Sequence, residues 1–448
     1  MLKKLLFLIL FIINTSLVGK RVVGYYPQWI QASFPVNQID FSVITHVIHS
    51  FAWPNADGSI DCYSQMLDQN IAEVVHQNNR KLLLAFGGWG NTAGFPQMVA
   101  SADSRQAFID NLLEIFDTYG YDGIDLDWEY PSNANEKTNL TLLVQEMRAE
   151  FDNINPELMI TMAVGPSDWS GQHFEYEILK ESLDWFSIMG YDFHGSWSSH
   201  AGHNAPLYQS PPNDNDGSVH TGINYLINTR GIPPEQINLG VPFYGKKFNA
   251  SEINGVFTGN VTDIRYSEVL GLINSGYEYH WDSDAKCPYL LKPDYTEVVS
   301  FDDPSSIGEK ANYAKSRNLG GMMIWALSYD MADGAQELIE SINQYYLSND
   351  LVDSKILPND FNINIFPNPF NDQCVIKINT IKSIDAINIY SLDGSIVKTI
   401  MSENLNDSKN KFIWNGKDNT NQSTSSGVYL VGFNFKKDYY TRKILFLK

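Results

Sequence analysis

Cysteine is scarce in this chain: three residues in 448. Cys62, Cys287 and Cys374 are too widely spaced for a metal-ligand pattern and too few for a dense disulfide framework. A single bridge between Cys62 and Cys287 stays open. Positive charge is scarce as well. Against 52 Asp and Glu stand 31 Lys and Arg, a formal net charge of −21. That balance argues against nucleic acid and anionic membrane surfaces as partners, and suits a secreted protein that acts on a neutral molecule. Long apolar runs are missing beyond the N-terminus, so no later segment is long enough to span a bilayer. Aromatic side chains, by contrast, are plentiful: 13% of the chain, with 10 Trp and 24 Tyr. They serve a large core and also offer flat stacking platforms.

Met1-Leu2-Lys3-Lys4 is basic, Leu5 to Ile13 is apolar, and polar Asn14-Thr15-Ser16 follows. Residues 1–19 read as a secretory signal peptide. Short apolar runs then recur at Val22 to Tyr26, Val43 to Phe51, Lys81 to Phe86, Gly123 to Glu129, Met159 to Val164, Trp185 to Tyr191, Ile237 to Phe243 and Gly321 to Leu327. Between most of them lie segments of helical periodicity, such as Met66 to Asn78, Ser104 to Tyr119, Lys137 to Phe151 and Pro304 to Arg317. Alternating strands and helices predict an α/β fold, a (β/α)8 TIM barrel over residues 20–348. Chemistry in such a barrel sits at the C-terminal ends of the strands. Residues 246–301 follow the seventh strand and are too many for an ordinary βα loop. They predict a small α+β insertion before the seventh helix, walling one side of a cleft. A helix from Gly334 to Leu347 closes the barrel.

Residues 349–358 read as a linker. Residues 359–448 change character, being rich in Asn, Ser, Lys and β-branched residues. Strand-like runs at Val375 to Asn379, Ala386 to Ser391, Lys411 to Trp414, Gly427 to Phe435 and Lys443 to Leu447 are separated by Asp393-Gly394, Asn415-Gly416 and Ser426-Gly427. That pattern predicts a small β-sandwich. The expected unit is a monomer.

One stretch does not fit an ordinary strand. In Asp122-Gly123-Ile124-Asp125-Leu126-Asp127-Trp128-Glu129-Tyr130, apolar and acidic residues alternate. Asp125, Asp127 and Glu129 share one face, while Ile124, Leu126 and Trp128 share the other. Three carboxylates on one face repel one another, and no Lys or Arg lies between them. They can hold a divalent cation. Alternatively they share protons, so that Glu129 stays protonated as a general acid.

The stretch resembles the signature of family 18 glycoside hydrolases, the chitinase family. Met189-Gly190-Tyr191-Asp192-Phe193-His194-Gly195-Ser196-Trp197, Gly202-His203-Asn204-Ala205-Pro206-Leu207, Gly240-Val241-Pro242-Phe243-Tyr244-Gly245, Phe301-Asp302-Asp303 and Gly320-Gly321-Met322-Met323-Ile324-Trp325-Ala326 resemble further family motifs, in order. The resemblance implies hydrolysis of β-1,4 links beside N-acetylglucosamine, with retention and without a protein nucleophile. It implies that Glu129 protonates the glycosidic oxygen, and that Asp127 moves between Asp125 and Glu129 and orients the substrate acetamido group. Tyr191 donates to the acetamido oxygen. Trp325 floors the distorted sugar, and Met189 and Asp192 line the same subsite. Tyr25, Phe51, Trp89, Tyr244 and Tyr266 fit either cleft contact or barrel packing. No cofactor and no metal is implied. The third strand departs from the family pattern: Ala85-Phe86-Gly87-Gly88 lacks the serine hydroxyl that helps hold the buried aspartate.

At the C-terminus, Asn364-Ile365-Phe366-Pro367-Asn368-Pro369-Phe370, Ile389-Tyr390-Ser391-Leu392-Asp393-Gly394, Gly427-Val428-Tyr429-Leu430 and Lys443-Ile444-Leu445 are similar to the sorting domain of type IX secretion in Bacteroidetes-type bacteria. This implies contact with that machinery and export to the medium or the cell surface. The readings to separate are therefore a secreted chitinase, an endo-β-N-acetylglucosaminidase acting on glycoprotein glycans, and a silent chitin-binding lectin. The retained Glu129 argues against the last.

Overall fold

The structure, a computed structural model, describes residues 20–348. Between 361 and 447 it describes all except 367, 369, 381–385, 392–394, 402–410 and 435–438. The signal segment 1–19, the linker 349–358 and the Asp393-Gly394 turn lie outside the described residues. The chain divides into two compact units after Ser348.

In the first unit the strands are β1 (Arg21–Pro27), β2 (His46–Pro54), β3 (Ile60–Cys62), β4 (Lys81–Gly87), β5 (Gly123–Asp127), β6 (Met159–Val164), β7 (Trp185–Ile188), β8 (Ile237–Pro242), β9 (Tyr244–Ala250), β10 (Phe257–Arg265), β11 (Glu278–Asp282), β12 (Cys287–Leu291), β13 (Val298–Ser300) and β14 (Gly321–Trp325). Eight of them pair in parallel in the order β1-β14-β8-β7-β6-β5-β4-β2, and β2 returns to β1. This is a closed (β/α)8 barrel. Alternate residues serve two cores. Val23, Ile48, Leu83, Ala85, Trp185 and Met323 fill the barrel. Val22, Val47, Leu84, Ile124, Leu126 and Phe186 face outward into the helical layer.

The helices start and stop where side chains satisfy their free ends. In Ala102–Tyr119, the Ser101 hydroxyl accepts from Ser104 N–H, and Gly120 ends the helix at φ 77°. In Ala134–Ile154, the Asn133 side chain accepts from two backbone N–H groups. The helix Pro304–Ser316 begins with Asp303 as cap and Pro304 in its first turn.

β9 begins two residues after β8 ends, so the insertion starts slightly earlier than the composition suggests. It is a five-stranded antiparallel sheet, β10-β9-β13-β12-β11, with the helix Tyr266–Asn274. A short hairpin, β15 (Met331–Ala332) with β16 (Ala335–Gln336), follows the barrel. The helix expected from Gly334 begins at Glu337, because the hairpin takes its first residues.

The disulfide left open between Cys62 and Cys287 is absent: both thiols are free. Cys287 is buried on β12 with its thiol donating to the Ala205 carbonyl at 3.1 Å, while Cys62 sits on β3 beside β2.

In the second unit, β17 (Phe361–Phe366), β18 (Cys374–Thr380) and β21 (Lys411–Trp414) form one sheet. The other contains β19 (Ala386–Ser391), β20 (Ile396–Met401), β22 (Gly427–Asn434) and β23 (Tyr439–Phe446). Phe370, Ile376, Ile389, Trp414, Val431 and Phe446 form their common core, so the unit is a β-sandwich. This core shares no residue with those of the barrel. Trp414→Ala should therefore cost the sandwich about 3–5 kcal/mol and leave the barrel's melting transition in place. A calorimetric scan in which both units melt earlier together would contradict two independent cores.

Candidate active site

β5 carries the acidic stretch into the barrel. The strand ends at Asp127, and Trp128 turns outward to stack on Phe95 at 5.0 Å. Glu129 therefore lies just beyond the strand, not on it as the alternation suggests. Asp125 and Asp127 are 1% and 5% exposed. Gly87 and Gly88 at the end of β4 make this depth accessible. Gly87 has φ +110°, a Cβ there would fall 2.1 Å from the Asp127 carbonyl oxygen, and Gly88 N–H donates to that oxygen at 2.9 Å.

The three carboxyls differ in their partners. Asp125 accepts from the Tyr25 hydroxyl on Oδ2 and from the Thr161 hydroxyl on Oδ1, each at 2.5 Å. Burial raises its pKa, and the two hydroxyls pull it back. Asp127 is raised well above the ordinary carboxylate value by burial, then by Glu129 and Asp125. Its Oδ1 is buried with no hydrogen-bond partner among the described residues. Glu129 is pushed up to about 7 by burial; the Tyr130 hydroxyl pulls it back and Asp192 adds to the rise. Charge on Glu129 thus disfavours charge on Asp127 beside it.

The surrounding side chains sort by what they touch. Tyr191 is buried, and among the described residues its hydroxyl meets only the Met323 sulfur, at 3.9 Å. Burial and the nearby Asp127 keep that phenol protonated, so it is a donor without a strong acceptor. Asp192, at φ 58°, accepts from the Tyr244 hydroxyl at 2.6 Å and pairs with Lys246 at 2.8 Å. Burial opposes charge on Lys246, but Asp192 and Asp263 outweigh it and raise its pKa. Trp325 packs edge-on to Tyr25 at 5.3 Å and stacks on Phe51 at 5.7 Å. Met189 lies half-buried against the same cluster. Tyr25 and Phe51 are buried supports rather than open surface.

Of the five residues that fit either cleft contact or barrel packing, Trp89 is 78% exposed, two residues past the end of β4. Tyr266 is buried in the helical layer, with its hydroxyl on Glu337 at 2.9 Å; it does not join the carboxylates. Several residues escaped the sequence reading. Trp29 and Trp169 are exposed just beyond β1 and β6, and Trp197, quoted only as part of a motif, is exposed in the loop after β7. Trp29 lies 6.3 Å from Trp325, and Trp169 lies 5.8 Å from Tyr130. Lys246 sits 5.7 Å from the Trp197 ring centre. For Trp29 and Trp169 the signal was position, a few residues past a strand end. Thr161 also escaped, although it is the one hydroxyl in the apolar run Met159–Val164.

Two buried or half-buried carboxyls with raised pKa, Asp127 and Glu129, lie at the C-terminal end of a barrel strand, with Tyr191 and Trp325 just beyond or at the ends of two others. Residues 21–330 match the family described as Glycosyl hydrolases family 18. The chain belongs to family 18 of the glycosyl hydrolases. A probable endochitinase of Caenorhabditis elegans is 32% identical over 346 residues, covering 68% of this chain and 55% of that protein. Chitinase 1 of Aphanocladium album is 31% identical over 359 residues, 71% of this chain and 84% of that one. The crystal structure of the Ostrinia furnacalis Group IV chitinase superposes with a TM-score of 0.69 at 30% identity, over 73% of this chain and 100% of that one. The same enzyme is known in complex with allosamidin. Residues 364–447 match a secretion-system C-terminal sorting domain.

The family position occupied here by Ala85 now has a physical answer. Both Ala85 and Thr161 are register partners of Asp125, from the strands on either side. β4 offers no hydroxyl at this register, and β6 offers one that bonds Asp125. Thr161→Val keeps the shape and removes a hydrogen bond to a carboxylate, which is worth about 1.5–3 kcal/mol. It should lower kcat/KM by about tenfold or more and displace the pH profile, and Ala85→Ser in that background should restore part of the loss. Full activity in Thr161→Val would mean that Tyr25 alone holds Asp125.

Proposed function

We propose that this chain is a secreted chitinase that cleaves β-1,4 links between N-acetylglucosamine units by substrate-assisted, retaining catalysis. The observation that carries this is the buried, unpartnered Oδ1 of Asp127 beside a glutamic acid that holds its proton to about pH 7. An acetamido N–H is a donor suited to that oxygen. Glu129 gives its proton to the glycosidic oxygen as the bond to C1 breaks. The acetamido oxygen, held by the Tyr191 hydroxyl, closes on C1 to form an oxazolinium ion. Ionised Asp127 stabilises the positive charge on that ring. Water, deprotonated by Glu129, then opens the ring with C1 in its original configuration.

Asp192 is the other nearby carboxylate. A conventional retaining pair needs a free carboxylate about 5–5.5 Å from the acid. Here Asp192 is engaged by Tyr244 and Lys246, which suits a lining role. The chitinase names of the relatives and the aromatic side chains beyond the strands agree with a chitin chain as substrate. The sorting-domain match supports export through type IX machinery, with chitin or its oligomers met outside the cell.

Glu129→Gln should cut turnover of chitin oligomers about 10²–10⁴-fold while oligomer binding persists. The product should be the β-anomer by NMR before mutarotation, and fully deacetylated chitosan should be inert. An initial α-anomer, or rapid chitosan cleavage, would refute substrate assistance. Faster release of glycan from a high-mannose glycopeptide than from chitin oligomers would replace chitin as the substrate. The wild-type kcat/KM should fall as pH rises through about 7, where Glu129 loses its proton. Removing residues 349–448 should leave an active barrel that fails to leave the native cell; normal export of that truncation would overturn the sorting assignment.

A further inference from the structure

Behind the lining residue Asp192, the loop after β7 carries a second cluster that the hydrolytic chemistry does not use. His194, His200, Asp214 and Asp216 each direct one ligand atom into a common space, all within 4.8 Å of one another. His194 and Asp214 are buried, while His200 and Asp216 lie at the surface side.

The tautomer of His194 is set by its partner. Its Nδ1 lies 2.7 Å from the His203 carbonyl oxygen, which can only accept, so Nδ1 carries hydrogen. Gly202 packs against the ring, and a Cβ there would fall 2.2–2.4 Å from ring atoms. In the neutral ring, Nε2 then presents a lone pair to Asp214 Oδ2 at 2.9 Å and Asp216 Oδ2 at 3.5 Å. His200 Nε2 points at the same Asp214 oxygen from 3.1 Å. Asp216 Oδ2 is buried with no hydrogen-bond partner among the described residues. The lone pair of neutral His194 and the charge of two carboxylates therefore face one another, and a bound cation resolves the conflict.

We propose that these four side chains form a structural zinc site. Two imidazole nitrogens and two carboxylate oxygens are a donor set for zinc rather than for calcium or magnesium, which take oxygen ligands. A tetrahedral ion with bonds of about 2.0–2.1 Å places its ligand atoms about 3.3 Å apart. The three separations above, 2.9, 3.1 and 3.5 Å, bracket that value. The supporting contacts are also in place: Nδ1–H of His194 on a carbonyl, and Asp214 Oδ1 accepting from Asp216 N–H at 3.0 Å. The ion ties residues 194–200 to residues 214–216. In doing so it fixes the loop that carries Asp192 at one end and Trp197 at its tip.

The competing occupant is a proton, which would make His194 an imidazolium paired with Asp214. The test uses the full secreted chain, purified without a histidine tag, stripped with a chelator and titrated with zinc. One equivalent should bind, and the melting temperature should rise with zinc. Substituting cobalt should give the intense visible bands of a tetrahedral ion. His200→Ala and Asp216→Asn, both at the surface side, should each weaken zinc binding at least about tenfold and abolish the thermal response. His280→Ala, which lies outside the cluster, should change neither. No saturable zinc binding, binding indifferent to both substitutions, or preferential binding of calcium or magnesium would overturn the proposal. In the first case the proton is the occupant.

Discussion

The burial of Asp125, Asp127 and Glu129 close together is the constraint to which the C-terminal end of the barrel answers. Three acids on one strand and its extension cannot all ionise in a buried space. Each has a folded pKa above its unfolded value. Their contribution to stability is therefore fullest below about pH 4, the unfolded range. It is lost as pH rises through the folded values, about 7 for Glu129. At working pH the fold bears this cost, and the large apolar cores on both sides of the strands offset it. The cost is inseparable from the chemistry, because the burial that disfavours charge on these groups also keeps a proton on Glu129.

The partners of the three carboxyls divide the labour. Asp125 has both oxygens hydrogen-bonded by hydroxyls, one from the neighbouring β6 and one from β1 across the barrel, which anchors the bottom of the stack. Asp127 keeps one oxygen unpartnered and can respond to what arrives. Glu129, beyond the strand and half-buried, reaches the solvent side. Depth along one strand sets the gradient from anchor to acid. Burial contributes most to all three shifts, so the gradient is set chiefly by how far each carboxyl sits inside the barrel, and by neighbours second.

Much of this was legible in the sequence because period-2 alternation maps directly onto the two faces of a barrel strand. Asp125 and Asp127 facing inward, and Ile124 and Leu126 outward, follow from spacing alone. Strand ends were less legible. The runs ending at Glu129, Tyr191 and Leu327 continue past Asp127, Ile188 and Trp325, where the strands stop. The apolar residues beyond those points pack against the barrel without pairing, and periodicity does not register the loss of ladder hydrogen bonds. Contacts across the barrel were not legible at all. Tyr25 and Asp125 are 100 residues apart, and Tyr266 and Glu337 are 71 apart. Only the closed fold decides that the first tyrosine serves the site and the second serves the helical layer.

The hydroxyl that Asp125 takes from position 161, where position 85 offers none, bears on what a motif encodes. Residue identity at one strand position is one way to place a donor beside Asp125. In a parallel sheet every residue has a register partner on each side, so the same donor can come from β4 or β6 without moving the acceptor. Tyr25 adds a third approach, from β1 across the barrel. What the site requires is that the buried carboxylate have its oxygens satisfied, since a buried charge without hydrogen bonds costs several kcal/mol. Any side chain that meets that requirement from an adjacent strand is physically equivalent, provided its volume fits the interior layer. The alanine at 85 leaves that volume to its neighbours, and the threonine at 161 fills its own position with a methyl as well as a hydroxyl. The constraint therefore acts on the acceptor's satisfaction, and the motif records only one of its solutions.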